Sequence, residues 1–463
     1  MQNYDMVVIG GGPGGYKCAI RGAQLGLKVA CIDKNEILGG TCLRVGCIPS
    51  KALLHFSHEY YHLKNNLSEV GITFDNLNFD LEKIMSFKDK NIAELGNGIS
   101  YLFSSHKIDY LCGVGKIQSV GPNNFIIVIS GNNGKQEIIS RYVVIATGSD
   151  VANFPDIDEE RVVSSTAALS FKEPPKRLIV IGAGAIGLEM SSVWSRFGSE
   201  VTVVEFSDKI APSMDGDIGK ALLTSLKKQG INFKLSTKVS SIDKKGSNLA
   251  VHLESVKDGK SEIIEADKVL VSIGRVPYTN GLIDNNSIEC DARGFIKVNN
   301  KYETNIPGVF AIGDVIGGAM LAHKAEEEGI AVAELISGHV PHVDYEIIPS
   351  VIYTHPAVAS IGKTEESLKK VNYSYNVGKS NFSANGRSKV TDNVSGFVKV
   401  LASKENDAIL GVHIIGAYAD TMINEAAVAM AYRASSEDIF RICHSHPDVN
   451  EAFKDACEAA FLK

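Results

Sequence analysis

Asp5-Met6-Val7-Val8-Ile9-Gly10-Gly11-Gly12-Pro13-Gly14-Gly15 decides the fold, because Arg177-Leu178-Ile179-Val180-Ile181-Gly182-Ala183-Gly184-Ala185-Ile186-Gly187 repeats its plan further along the chain. In each copy a short apolar run enters a Gly-x-Gly-x-x-Gly turn. A helical stretch follows, through Leu25 in the first copy and Phe197 in the second, and then another apolar run, Lys28 to Ile32 and Glu200 to Val204. Strand, glycine turn, helix and strand make a βαβ opening. Two such openings imply an α/β chain with two Rossmann-like dinucleotide-binding domains.

The turn residues fit that reading chemically. Of Gly10, Gly12 and Gly15, one makes the tight turn, one lets the backbone approach a pyrophosphate, and one permits close helix packing, with the helix N-terminus facing the phosphates. Asp33 ends the next strand, where a ribose hydroxyl needs an acceptor. A purely structural turn is the alternative. In the second copy Gly182, Gly184 and Gly187 take the same places and Glu205 stands at the strand end. Glu205 would accept from a free 2′-hydroxyl and repel a 2′-phosphate, and Phe206-Ser207-Asp208 brings no arginine to hold one, which predicts NAD over NADP. A solvated strand end is the competing reading of Glu205.

Outward from these units, Lys268 to Gly274 and Val309 to Gly313 are further apolar strands ending in glycine. Between 105 and 145, and from 232 to 300, alternating segments with Asn-Asn, Asn-Gly and Asp-Gly turns predict antiparallel hairpins inserted in the two units. From about 344 the pattern changes to mixed strands (Val351 to Thr354, Gly396 to Leu401, Ile409 to Ile414) and then helices (Thr421 to Arg433, Ser436 to Ile442), a separate α+β domain. The expected boundaries are 1–149, 150–275, 276–343 and 344–463.

The chain's 463 residues, 44% of them hydrophobic, suffice for several cores. A formal charge of −7 without long runs of one sign argues against a nucleic-acid surface. No stretch reaches the roughly 18 apolar residues of a membrane span. Met1 is followed within a few residues by a buried-strand pattern, leaving no room for a targeting segment, so the expectation is a bacterial cytoplasmic protein.

Eight cysteines are too dilute for a disulfide framework, and six of them (18, 31, 112, 290, 443, 457) read as core residues. The pair within Gly39-Gly40-Thr41-Cys42-Leu43-Arg44-Val45-Gly46-Cys47-Ile48-Pro49-Ser50-Lys51 needs a chemical explanation. In a regular helix, residues five apart are separated by about 7.5 Å of rise, beyond the roughly 7 Å between bridged Cα atoms. A disulfide there requires an irregular loop, which Gly46 permits, with Pro49 suited to the start of a helix near Ile48. Cys47 would then lie at a helix N-terminus, which favours its thiolate. Two buried, unreactive thiols are the alternative. Near the end, His444-Ser445-His446-Pro447-Asp448-Val449-Asn450-Glu451 places an imidazole before proline, in extended backbone, with a carboxylate able to orient it as a general base. Taken alone, a His-Pro pair is more often the pattern of a surface loop.

Both glycine turns, the Cys42/Cys47 segment, the run Leu321-Ala322-His323-Lys324-Ala325-Glu326-Glu327-Glu328-Gly329 and the His446/Glu451 segment occur in one order. With them the chain resembles the pyridine nucleotide-disulfide oxidoreductases over nearly its full length, and most of all their lipoyl-oxidising branch. The resemblance implies a redox-active Cys42–Cys47 disulfide and a first domain holding FAD. Asp33 would meet the adenosine ribose, Lys51 paired with Glu189 the flavin ring, Gly115, Thr147 and Gly148 the dinucleotide, and Asp314 the ribityl chain. The helix start at Met320, Leu321, Ala322 and His323 would face the flavin pyrimidine. Gly274 and Arg275 complete the implied cofactor set, NAD would occupy the second unit, and no metal is implied. The C-terminal domain would form a homodimer in which His446 and Glu451 of one subunit complete the other's site. The implied reaction oxidises protein-bound dihydrolipoyl groups and passes electrons through Cys42/Cys47 and FAD to NAD+. The implied partners are the lipoyl-bearing acyltransferase subunit of 2-oxoacid dehydrogenase complexes or the glycine cleavage carrier protein. The sequence departs from the family at Arg44, where asparagine is common, at Asp448-Val449 and at Gly416 to Asp420.

Overall fold

The computed structural model describes residues 1–121, 124–132, 134–246, 248–282 and 287–463. Asn123, Asn133, Asn285 and Asn286, which belong to the expected Asn-Asn turns, lie outside the described residues. The chain separates into two compact units, one built from 1–52, 82–153 and 274–343, the other from 53–81, 154–273 and 344–463.

In the first unit the strand Gln2–Ile9 runs parallel to Val29–Asp33 on one side and to Gly134–Ile145 on the other. Its run Met6-Val7-Val8-Ile9 is apolar without alternation because both faces are covered. Val7 and Ile9 enter one core with Ile117, Phe125, Leu282 and Val309, while Met6 and Val8 enter another with Cys18, Ala19, Val332 and Ala333. Val309–Ala311 joins Gly134–Ile145 in parallel, and Val114–Gly121 and Asn124–Gly131 extend the sheet as an antiparallel hairpin.

The helices Pro13–Gln24 and Ala322–Ile336 meet closely, and glycine sets the distance. A Cβ on Gly14 would lie 2.8 Å from the carbonyl of Ala325, and one on Gly329 would lie 2.3 Å from that of Gly14. Inside this pair Lys324 and Glu328 form a fully buried ion pair at 3.0 Å. Glu328 accepts from the amide of Gly313 at 2.7 Å, and Lys324 donates to the carbonyl of Gly317 at 2.8 Å. The pair thereby holds both ends of the 3-10 turn Gly313–Ile316, where Asp314 stands. Two buried charges are tolerable only with such additional bonds.

In the second unit Asn232–Lys234, Glu200–Val204, Arg177–Ile181, Lys268–Val271 and Val162–Val163 form a parallel sheet in that order. A three-stranded antiparallel sheet, Thr237–Lys245, Asn248–Ser255 and Ser261–Ala266, packs on it through Ile242, Leu249 and Val251. The C-terminal part is a five-stranded antiparallel sheet ordered Ser350–Ile352, Ala357–Gly362, Ile409–Gly416, Phe397–Ser403, Tyr375–Asn381. The helices Ala419–Ala431 and Glu451–Phe461 share its core through Met422, Ile423, Phe453 and Cys457.

Lys399, 1% exposed on its strand, meets Asp215 at 2.8 Å, Asp217 at 3.1 Å and Glu365 at 2.5 Å. Asp215 also accepts from the Asp217 and Glu365 amides, tying the starts of two helices together. Burial works against ionisation of Glu365, but hydrogen bonds from Lys369 and Lys399 outweigh it and bring its carboxyl from 4.5 down to about 2. A depressed carboxyl contributes stability above its unfolded value and loses it as pH falls through the folded one. Stability of this unit should therefore decline between about pH 4.5 and pH 2. In Lys399→Met that dependence should be flatter, with lower stability at pH 7, as read by chemical denaturation across pH.

The cysteine expectation needs correction. Cys18, Cys31 and Cys457 are buried, but Cys112, Cys290 and Cys443 are exposed. Cys112 ends Asp109–Cys112, the edge strand of its sheet, and Cys443 lies two residues beyond the end of the helix Ser436–Arg441. Apolar neighbours in sequence did not imply burial at these edges.

Candidate active site

Local backbone chemistry brings the cysteines together. Gly40–Val45 is a short helix and Cys47 opens the helix Cys47–Asn65, with Gly46 breaking the path between them at φ −142° and ψ −109°. The break lets Cys42 and Cys47 form a disulfide with their Cα atoms 4.6 Å apart. Cys42 thus stands within the short helix and Cys47 at the start of the long one, with Lys51 one turn further in.

The two glycine turns are built alike. Gly10 and Gly182 adopt φ of 114° and 102°, and a Cβ on either would strike a carbonyl, that of Ala146 at 2.2 Å or Ser272 at 2.5 Å. A Cβ on Gly15 would lie 1.8 Å from the carbonyl of Gly10, and one on Gly187 would lie 2.1 Å from that of Gly182. Gly12 and Gly184 are the residues preceding the helices, and neither brings a capping side chain, leaving the first helical amides facing outward. Asp33 accepts from the Gly11 amide at 2.7 Å and from Asn35. Glu205 accepts from the Ala183 amide at 2.7 Å and from Ser207. In both units one carboxylate ties the second strand's end to the glycine turn and is itself steadied by a polar residue two positions on. Asn35 and Ser207 were missed in the sequence, although the shared spacing Asp-x-Asn and Glu-x-Ser was a signal.

Elsewhere in the first unit, Thr147 donates to the Tyr278 carbonyl at 2.6 Å, and Gly148 accepts from the Tyr278 amide at 3.0 Å. Gly274 accepts from Ala152, and Arg275 donates to the hydroxyl and carbonyl of Ser149, each at 2.7 Å. The Ser149 hydroxyl in turn donates to Asp314. Burial lowers the Arg275 guanidinium from its ordinary value, against the opposing charge of Asp314. Gly115 is buried in its strand, where an added Cβ would crowd Ile32 at 3.1 Å. Met320 and Leu321 lead into the helix Ala322–Ile336, where Leu321 at the N-cap supplies no capping side chain. Ala322 and His323 are its first residues, so its first amides point into the space ahead of the helix.

In the second unit Glu189 is buried on the helix Ala185–Arg196, and its carboxylate accepts from the Tyr353 amide at 2.9 Å. His446 lies in irregular backbone ahead of the helix Glu451–Phe461, with Nδ1 2.9 Å from Glu451. Glu451 also accepts from the Asp448 amide at 3.0 Å. That amide first, and the imidazole second, hold the Glu451 carboxyl below the usual carboxylate range. A carboxylate at Nδ1 fixes the proton there and leaves Nε2 as the acceptor. The ring is 77% exposed, so Nε2 is open to a thiol arriving from outside the subunit.

Comparison with known proteins shows the family. The family model described as pyridine nucleotide-disulphide oxidoreductase matches residues 4–329, and the model of that family's dimerisation domain matches residues 348–457. A mitochondrial dihydrolipoyl dehydrogenase of Pisum sativum is 52% identical over 463 residues, covering 99% of this chain and 92% of that protein. Its counterpart in Caenorhabditis elegans is 50% identical, with 99% and 93% covered. The crystal structure of LpdA from Mycobacterium tuberculosis shares the fold, with a TM-score of 0.91 at 23% identity over 99% of each chain. The expectation of a bacterial cytoplasmic protein is overturned here, because these curated relatives are mitochondrial. That expectation rested on the start of the chain alone, which does not decide the compartment.

Proposed function

The chain belongs to the pyridine nucleotide-disulphide oxidoreductase family, and from that premise we propose that it oxidises protein-bound dihydrolipoyl groups to the lipoyl disulfide with NAD+ as the final acceptor. The observation that carries the reading is the Cys42–Cys47 disulfide in a chain that matches dihydrolipoyl dehydrogenases from end to end at about half identity. The dimerisation domain supports a homodimer.

The residues fit the family's cofactors. The Gly10 turn has no room for a Cβ, the amides after Gly12 are uncapped, and Asp33 closes the turn, so a dinucleotide pyrophosphate has a cradle there and FAD is the group it would hold. FAD so held supplies the two-electron relay between a dithiol and a nicotinamide. The Gly182 turn and Glu205 would hold NAD in the same way.

The protein's own residues carry the thiol chemistry. His446, oriented by Glu451, takes the proton of the first dihydrolipoyl thiol, and the thiolate attacks Sγ of Cys42. The Cys42–Cys47 bond breaks, and Cys47 leaves as a thiolate at a helix N-terminus, where the helix dipole favours its charge. The second substrate thiol then attacks the mixed disulfide, its proton passing to Cys42 as that sulfur is expelled, which leaves the oxidised lipoyl group, the Cys42 thiol, the Cys47 thiolate and a protonated His446. In the homodimer, the base facing one disulfide is the partner subunit's His446. The lipoyl group would arrive on an acyltransferase subunit of a 2-oxoacid dehydrogenase complex or on the glycine cleavage carrier.

Formation of NADH from dihydrolipoamide and NAD+ by the purified dimer tests the reaction, and its absence would reject it. Glu205 tests the nucleotide. Loss of one charge-assisted bond costs about 1.5–3 kcal/mol, or roughly 10-fold to 100-fold. Glu205→Ala should narrow the preference for NAD+ over NADP+ in kcat/KM by that factor. An unchanged ratio would show that Glu205 does not select the nucleotide.

A further inference from the structure

His446 is the least secured of the residues assigned to chemistry: its ring is exposed, it lies outside any helix or strand, and its bonded partner is Glu451. A general base displaced by about 1 Å loses up to about 10²-fold in rate, so something must fix the segment that carries it. Glu425 reaches both sides of that segment. One of its oxygens lies 3.0 Å from Nε2 of His444, two residues before His446, and the other accepts from the side-chain amide of Asn450, four residues after it. Glu425 is on the helix Ala419–Ala431, which is anchored in the core by Met422, Ile423 and Ala426.

The bonds continue inward from this clasp. His444 is 8% exposed, and its Nδ1 lies 3.1 Å from the Ile442 carbonyl. Asn450 donates its backbone amide to Asp448 at 2.9 Å, and the Asp448 carbonyl accepts from Asn385 at 2.9 Å. The Asp448 amide then reaches Glu451, the carboxylate that orients His446. The two ring nitrogens of His444 thus face the Glu425 carboxylate and the Ile442 carbonyl, so both sides of the ring are held.

We infer that Glu425, through His444 and Asn450, is a clasp that positions His446 for proton transfer from the substrate thiol. The inference rests on the reading of His446 as the base, and it makes Glu425 and His444 positioning residues. Glutamine at 425 has the reach and the groups to keep both contacts, one with Asn450 and one with the His444 ring, whereas alanine keeps neither.

The test uses the FAD-loaded homodimer and two assays. Oxidation of dihydrolipoamide by NAD+ needs the base, whereas reduction of ferricyanide by NADH does not. Glu425→Ala should lower kcat/KM for dihydrolipoamide by roughly 10-fold to 10²-fold, shift its pH profile, and leave the ferricyanide reaction unchanged. Glu425→Gln should restore most of the loss. In a His446→Gln background Glu425→Ala should cause no further fall, because a residue acting through another is not additive with it. His444→Leu, which removes the same clasp without touching Glu425, provides the measurement if Glu425→Ala fails to fold. Unchanged dihydrolipoamide turnover, an equal fall in both assays, or a further fall in the His446→Gln background would overturn the clasp. Full turnover by His446→Gln alone would instead remove the base assignment on which the clasp depends.

Discussion

Cys47→Ser is expected to abolish dihydrolipoamide oxidation, by roughly 10⁴-fold or more, as removal of a covalent participant does, while FAD remains bound. A serine at 47 cannot close the disulfide, so the substrate thiolate has no bond to break at Cys42 and no electron pair enters the protein. The bonds that shape the FAD cradle, from the Gly11 amide to Asp33 and about the uncapped helix start, do not involve the sulfur of Cys47, so the cradle is expected to persist. Cofactor content and dihydrolipoamide turnover, measured on the same preparation, separate the two effects. Turnover near the wild-type rate would show that the electrons follow another path. Loss of FAD together with turnover would mean that the disulfide is structural.

The second large effect belongs to His446. His446→Gln keeps a side chain of similar reach beside Glu451 but offers no group able to take a thiol proton near neutral pH, and the expected loss is roughly 10²–10⁴-fold in kcat/KM for dihydrolipoamide. Glu451 stays ionised below the usual carboxylate range, so it orients the ring throughout the neutral range. The loss should shrink as pH rises and the substrate thiol ionises without help, since a thiolate no longer needs a base. A loss that is constant across pH would assign His446 to binding and not to proton transfer.

Much of the site was legible because its chemistry demands particular residue types at close spacing. Gly10 and Gly182 stand where a Cβ would strike a carbonyl, Asp33 and Glu205 end strands that reach a glycine turn, and Gly46 is the break that two cysteines five apart require. What escaped depends on partners far apart in sequence. Lys324 and Glu328 look like an ordinary surface pair one turn apart on a helix, and only the close packing on Gly14 makes them a buried pair holding the Gly313 turn. Lys399 sits in a fully buried strand, opposite carboxylates that lie 34 and 184 residues earlier in the chain. The helix Leu81–Ser105 exposes Phe87, Leu95 and Tyr101, so its apolar residues do not form one stripe and its period was hidden. The clasp at Glu425 was invisible for a related reason: nothing in Ala419–Ala431 points to His444 until the chain is folded.

Anaerobic reductive titration of the purified dimer tests the central claim most directly, with the visible spectrum followed as dihydrolipoamide is added, then NAD+, and then, on a fresh sample, NADPH. Coupling of the Cys42/Cys47 dithiol to flavin predicts that dihydrolipoamide produces long-wavelength charge-transfer absorbance and that NAD+ reverses it. An oxidised spectrum untouched by dihydrolipoamide but reduced by NADPH would contradict both the lipoyl and the NAD assignments.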